Sequence, residues 1–229
     1  MTQAQSDADG AAHVRRQRGS LSTEEILAAA MNVLDTEGAA GLTFSRLGKE
    51  LRSAPTAVYR HFASRDDLLD AIGDHLDGLS LVDYAPTDHW RTDLEELAWR
   101  AWRIAVAHPA AAGLAMSRVT NGMNELRAVD AVLRALMAGG LRGEEAVLQY
   151  QVYVNLVVGS ASGHGTTLST TSAAYTPDGW VQVYTPTDPS QYPHADAVKS
   201  QLRVVNAEKV FATQLRMYLD ALSRLLPPA

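Results

Sequence analysis

The chain contains no cysteine, which excludes disulfides, thiolate metal sites and a cysteine nucleophile, and fits a reducing compartment. No uninterrupted apolar run reaches the roughly 20 residues a membrane span requires. The opening residues, "MTQAQSDADGAAHVRRQRGS", lack the apolar core of a signal peptide. Together these absences predict a soluble, cytoplasmic protein with no membrane partner. Catalytic signatures are missing too. "GSASG" at 159–163 places Ala161 where a Gly-x-Ser-x-Gly nucleophile elbow needs serine. Neither a His-Glu-x-x-His zinc motif nor a phosphate loop occurs, and the seven histidines are scattered. No catalytic residue, metal site or cofactor is expected. A hydrolase is the reading of a different class, and turnover of a bound ester would be needed to sustain it.

The 229 residues are 46% hydrophobic and 20% charged, enough to fill the core of one large domain or of a small domain joined to a larger one. A net charge of −6 argues at first against a nucleic-acid partner, but its distribution matters more. From His13 to His61, Arg15, Arg16, Arg18, Arg46, Lys49, Arg52 and Arg60 outnumber Glu24, Glu25, Asp35, Glu37 and Glu50. Residues 62–229 carry 13 basic against 19 acidic side chains. The cationic region is the N-terminal one.

Periodicity predicts helices throughout. Ser22 and Glu25 have capping-box spacing, Ile26, Leu27, Ala30, Val33 and Leu34 share a face, and Gly38 supplies a stop. A shorter helix is expected over 43–51, then a break at 52–54, then a helix from Pro55. Ser64 and Asp67 open a fourth, with Leu68, Leu69, Ile72 and Leu76 inward. Further helices are expected over 88–107, closed by "HP", over 121–138, stopped by Gly139 and Gly140, and over 144–163. The last of these is apolar on nearly every side and should be buried all round, although its valines also permit a strand. A final helix is expected over 195–225. Residues 165–194, rich in Thr, Ser, Pro and Tyr, read as a long loop, with a β-hairpin turning at Pro177, Asp178 and Gly179 as the alternative.

Helix, three-residue break, helix is the spacing of a helix-turn-helix, whose second helix lies in the DNA major groove. Within "SAPTAVYRHF", residues 53–62, Val58 and Phe62 are spaced to face the core. Pro55, Thr56, Ala57 and Arg60 lie on or near the outward side, and Tyr59 and His61 are suited to donate to phosphate oxygens. Thr43, Ser45 and Arg65 sit at helix starts, where free N–H groups favour phosphate, and Arg46 adds a cation beside them. Arg15, Arg16 and Arg18 read equally as a DNA-contacting arm and as a free tail.

Residues 42–69, "LTFSRLGKELRSAPTAVYRHFASRDDLL", resemble the DNA-binding region of TetR-type transcriptional regulators. Leu42-Thr43, Leu47 with Lys49-Glu50-Leu51, Tyr59-Arg60-His61-Phe62, Ser64-Arg65-Asp66 and Leu68-Leu69 carry the likeness, which extends over about 22–76. It implies a homodimer on a palindromic, double-stranded operator and a C-terminal ligand pocket that controls DNA affinity. Two positions depart from the family pattern. Arg52 stands where the turn commonly has Gly, and Ala54 replaces the usual Ser cap, so Ser53 is expected to cap one residue early.

The expected architecture is all-α: an N-terminal arm over 1–20, a three-helix helix-turn-helix domain over 21–64, and a larger ligand-binding and dimerisation domain over 65–229. The apolar helices over 144–163 and 195–225 are expected to pair in a four-helix bundle between protomers. Tyr150, Tyr153, Val157, Ser160 and His164 share a helical stripe, and Trp99 and Trp102 share another. Stripes of this kind are usually core. As a set they suit a pocket for a small, partly apolar ligand, with Asn155 and His108 as weaker candidates. The predicted function is a ligand-responsive repressor. Activation, or DNA binding without a ligand, is the alternative within the same fold.

Overall fold

The computed structural model describes residues 21–87, 89–169, 188–201 and 207–226. Among them every regular element is helical. α1 (Thr23–Glu37) begins with the expected capping box: Ser22 Oγ accepts from Glu25 N at 3.1 Å and Glu25 Oε2 from Ser22 N at 2.9 Å. A single 3-10 turn (Ala39–Gly41) leads to α2 (Phe44–Glu50), and α3 (Pro55–Tyr59) follows the break. α4 (Arg65–Ser80) carries a second capping box, from Ser64 and Asp67. α5 (Trp90–Ala107), α6 (Pro109–Ala115), α7 (Met123–Ala138) and α8 (Gly143–Ser169) form the larger bundle. α9 (Pro193–Val198) and α10 (Ala207–Leu225) complete it.

One apolar core runs through both regions. α1 buries Ile26, Ala30, Val33 and Leu34 against α2 and α4, and α4 then continues into the bundle against α5, α6 and α7. α6 presents Ala110, Ala111, Ala112 and Ala115, all buried, and this small-residue face lets it lie close on α8. A Cβ at Gly165 would come within 2.8 Å of the Pro109 carbonyl oxygen and 2.9 Å of Ala112 Cβ, so glycine sets that approach. The α7 N-terminus is capped across the fold: Asp74 Oδ1 accepts from the N–H groups of Asn124 and Glu125 at 2.8 and 3.0 Å. Buried Asp93 closes the α4–α5 connection by accepting from Thr87 N and Oγ1.

Three expectations are corrected. α8 extends through Ser169 and so takes in the first five residues of the expected 165–194 loop; the hairpin alternative lies outside the described residues, as does the arm over 1–20. The final helix is not continuous, because α9 ends at Val198 and residues 199–201 leave the helix before α10. α8 is also not buried all round within one chain, since Val147, Leu148 and Val152 remain 55%, 53% and 42% exposed.

Candidate nucleic-acid interface and internal cavity

α2 and α3 are joined by a turn with three backbone hydrogen bonds, from Leu51 N to Leu47 O, Arg52 N to Lys49 O and Ser53 N to Gly48 O. Arg52 takes φ +50°, the left-handed conformation in which a non-glycine residue costs about 1 kcal/mol. The glycine of this corner stands inside α2 instead: a Cβ at Gly48 would meet Ser53 O at 3.0 Å and Pro55 N at 3.1 Å. Close packing of the turn on α2 therefore depends on Gly48, which the spacing argument passed over. Ser53 does not cap α3. Its N-cap is Ala54, without a side-chain bond, and Pro55 occupies the first turn, where its missing N–H costs nothing.

α3 is held by Val58, fully buried, and Phe62, nearly so, as their spacing predicts. Pro55, Thr56, Tyr59, Arg60 and His61 are exposed, and Ala57 is half-buried at the edge. The Tyr59 ring packs edge-on against Phe44 with centroids 4.4 Å apart, which positions its hydroxyl while leaving the side chain 56% exposed. His61 Nδ1 lies 3.3 Å from Thr23 Oγ1, tying the end of α3 to the start of α1. Thr43 Oγ1 accepts from Arg46 N as the cap of α2.

Two grooves flank this element. One brings Thr43, Tyr59, Ser64 and Arg65 together, so the starts of α2 and α4 meet around the tyrosine. The other gathers Ser45, Lys49, Arg52 and Pro55. The cations divide. Arg46 is held by Glu37 at 2.7 Å and Glu50 at 2.9 Å, which balance its charge. Lys49, Arg52, Arg60 and Arg65 have no carboxylate partner among the described residues. Lys49 and Arg52 thus join the candidate surface; their charge was visible in the sequence, but their place beside Pro55 depends on the left-handed turn.

The larger bundle holds a partly open cavity of about 360 Å³ between α4, α5, α7, α8 and the segment after α6. Tyr150, Tyr153, Val157 and Asn155 line it. Trp99, Trp102 and His164 do not. Trp102 instead stacks between His164, with centroids 4.7 Å apart, and Phe211 of α10 at 4.5 Å, while Trp99 meets Phe211 edge-on at 5.2 Å. The α8 stripe therefore divides along its length: Tyr150, Tyr153 and Val157 line the cavity, while His164, about two turns further on, stacks on Trp102. Ser160 donates to Gln214, and His108 Nδ1 sits 3.0 Å from Asp35 of α1.

The cavity also has residues that periodicity did not indicate. Asp77 and Glu125 line it, as do Leu97, Met116 and Val132. Burial, with Glu125 and Asp74 nearby, pushes the Asp77 carboxyl up to about 7. The Tyr153 hydroxyl donates to Leu94 O at 2.7 Å, so this tyrosine offers the cavity its ring. No described helix is long and apolar enough to cross a membrane.

Two family models match this chain. Residues 26–72 match the family described as bacterial regulatory proteins, tetR family, and residues 84–226 match the tetracyclin repressor-like C-terminal domain. An HTH-type transcriptional regulator of Saccharopolyspora erythraea is 30% identical over 142 residues, 62% of this chain and 60% of that protein. The HTH-type transcriptional repressor DrrR1 of Streptomyces coeruleorubidus is 27% identical over 151 residues, 64% of this chain and 55% of that protein. The chain thus spans under two thirds of the length of these relatives. A solved TetR-type regulator of Streptomyces coelicolor superposes with a TM-score of 0.70 at 25% identity, covering 90% of this chain and all of that one. With family matches over both its helix-turn-helix and its larger bundle, the chain belongs to the TetR family of bacterial regulatory proteins.

Proposed function

We propose that this protein is a transcriptional repressor that binds a palindromic operator as a homodimer and is released by a small molecule held in the α4–α8 cavity. The observation that carries the reading is α3 itself: Val58 and Phe62 anchor it, while Pro55, Thr56, Tyr59, Arg60 and His61 stand exposed beside cations that have no carboxylate partner among the described residues. In this reading Thr56, Pro55 and Ala57 approach base edges. Thr43, Ser45, Tyr59, His61, Arg60 and Arg65 position the duplex through phosphates, with Lys49 and Arg52 alongside. Arg46 acts indirectly, by fixing α2 against Glu37.

Dimerisation is assigned to α8 and α10. Val147, Leu148 and Val152 of α8, with Val210 and Met217 of α10, are large apolar side chains exposed on a single chain. A second copy would cover them in an isologous interface. The two α3 helices must then stand about 34–36 Å apart, one DNA turn. Ligand control needs the effector to bind a spread, DNA-released arrangement better than the DNA-bound one. The connection is short: α4 reaches from the groove at Arg65 to the cavity at Asp77, and α6 packs on α8 beside the His108–Asp35 contact.

Selection of a palindrome from a random duplex pool, followed by fluorescence anisotropy, tests the reading. Tyr59→Ala should weaken every duplex by about tenfold, the loss of one phosphate donor and its ring support. Thr56→Ala should change the selected sequence at one position per half-site. Unchanged affinity and preference in both variants would remove α3 from the interface.

A further inference from the structure

The chemistry of the cavity wall identifies the class of effector, an inference that rests on the ligand-controlled reading above. Most of the wall is apolar, from Leu97, Met116, Val132 and Val157. One end is different. Asp77 of α4 and Glu125 of α7 both line it, close enough for the Glu125 charge to raise the Asp77 carboxyl. Glu125 Oε2 is committed, accepting from Thr120 N, Thr120 Oγ1 and Asn121 N at 2.6 to 2.8 Å. Among the described residues nothing donates to Glu125 Oε1 or to the Asp77 carboxyl.

Arg118 is the cation that lines the same cavity, and it is already taken. Its Nε bonds Asp70 at 2.5 Å and its Nη2 lies 3.4 Å from Asp66. Asp74, the third carboxylate near Asp77, is spent on the α7 N-terminus and on Asn124 Nδ2. Among the described residues, therefore, no cationic side chain pairs with Asp77 or Glu125. The Tyr150 ring lines the wall near these carboxylates, and an aromatic face attracts a cation.

We propose that the cavity takes an amphiphile with a flat apolar body and one cationic nitrogen, the nitrogen seated between Asp77 and Glu125 against the Tyr150 ring. The apolar body lies along Leu97, Val132 and Val157. A cationic nitrogen supplies the countercharge that both carboxylates lack, with or without an N–H to donate, whereas a ligand carboxylate would add a third charge to two. A neutral ligand that only accepts hydrogen bonds suits the site when Asp77 is protonated, which makes it the rival that pH separates. Asp77 is pushed up to about 7 by burial, then by the charges of Glu125 and Asp74. Burial raises the Tyr150 hydroxyl, so that group stays neutral across the window. A bound cation favours the ionised carboxyl, so its affinity rises with pH, by about tenfold between pH 6 and pH 8 for one coupled proton. A neutral acceptor ligand follows the opposite slope.

The test is isothermal titration of the full-length protein, without DNA, using naphthylmethyl-trimethylammonium, its neutral carbon isostere neopentylnaphthalene and naphthylmethanesulfonate. A permanent charge on the first probe keeps its own titration out of the pH series. The cation should bind at least about tenfold more tightly than the isostere at pH 8, and the sulfonate weakest. Asp77→Asn should reduce cation affinity about tenfold, remove the pH slope and leave isostere binding within about twofold, which also shows that the cavity is intact. Equal binding of cation and isostere, tighter sulfonate binding, or an unchanged slope in Asp77→Asn would overturn the charge assignment while leaving the cavity a ligand site. If none of the three probes binds, the ligand-controlled reading falls with it, while operator binding by the unliganded protein stands or falls on its own measurement.

Discussion

Around α3, Val58 and Phe62 hold the element while Pro55, Thr56, Tyr59 and Arg60 remain exposed; around α5 and α8, Trp102, Tyr153, Val157 and Ala161 are buried and their polar atoms mostly satisfied. A helix that reads a partner keeps its informative side chains outside, so they contribute little to the fold. A bundle that encloses a ligand builds its walls from the same residues that stabilise it. Substitutions in the first region should therefore change binding and spare stability. In the second they should change both, except where a side chain faces only the cavity.

The sharpest contrast is expected at Phe211, whose ring stacks on Trp102 and meets Trp99. Phe211→Ala should cost about 3–5 kcal/mol in urea denaturation at fixed protein concentration. A loss no larger than that of an exposed residue would erase the distinction between the regions. Next is Asp77. Its folded value of about 7 lies above the ordinary 3.8, so the folded state holds the extra proton and stability falls as pH rises between them. Asp77→Asn should flatten that slope and raise stability at pH 8 by about 2 kcal/mol, with most of the change above pH 5. Tyr59→Ala provides the opposite case: lost operator affinity with a urea midpoint little changed, since the side chain is mostly exposed.

The smallest expected effect lies at the turn. Arg52→Gly should relieve the left-handed backbone and add about 1 kcal/mol of stability. If Arg52 also touches phosphate, the same change lowers the salt slope of operator binding by about one. A gain in stability with an unchanged slope would leave Arg52 a turn residue only.

Legibility followed the range of the interactions. Ser22 with Glu25, Ser64 with Asp67, and Val58 with Phe62 act within four residues of one another, and the structure has them as their spacing predicts. The left-handed turn was also readable, because Arg52 stood out against the resembling pattern. What failed depended on distant chain. Trp102 turns to Phe211, more than a hundred residues away, rather than to the cavity, and no local period encodes that. Asp77 sits on the otherwise ordinary polar side of α4, and only α7 and α8 make it part of a wall. The break between α9 and α10 carries no Gly or Pro at residues 199–201, so no local stop signal marked it.

α4 spans the distance between the two candidate sites as one uninterrupted rod. From Arg65 to Asp77 it advances about 18 Å at 1.5 Å per residue. As a lever of that length, a tilt of about 5° swings its far end by about 1.6 Å, close to half the 3.4 Å step between stacked base pairs. A shift too slight to reopen any packed core is thus already large on the scale by which a duplex keeps its register.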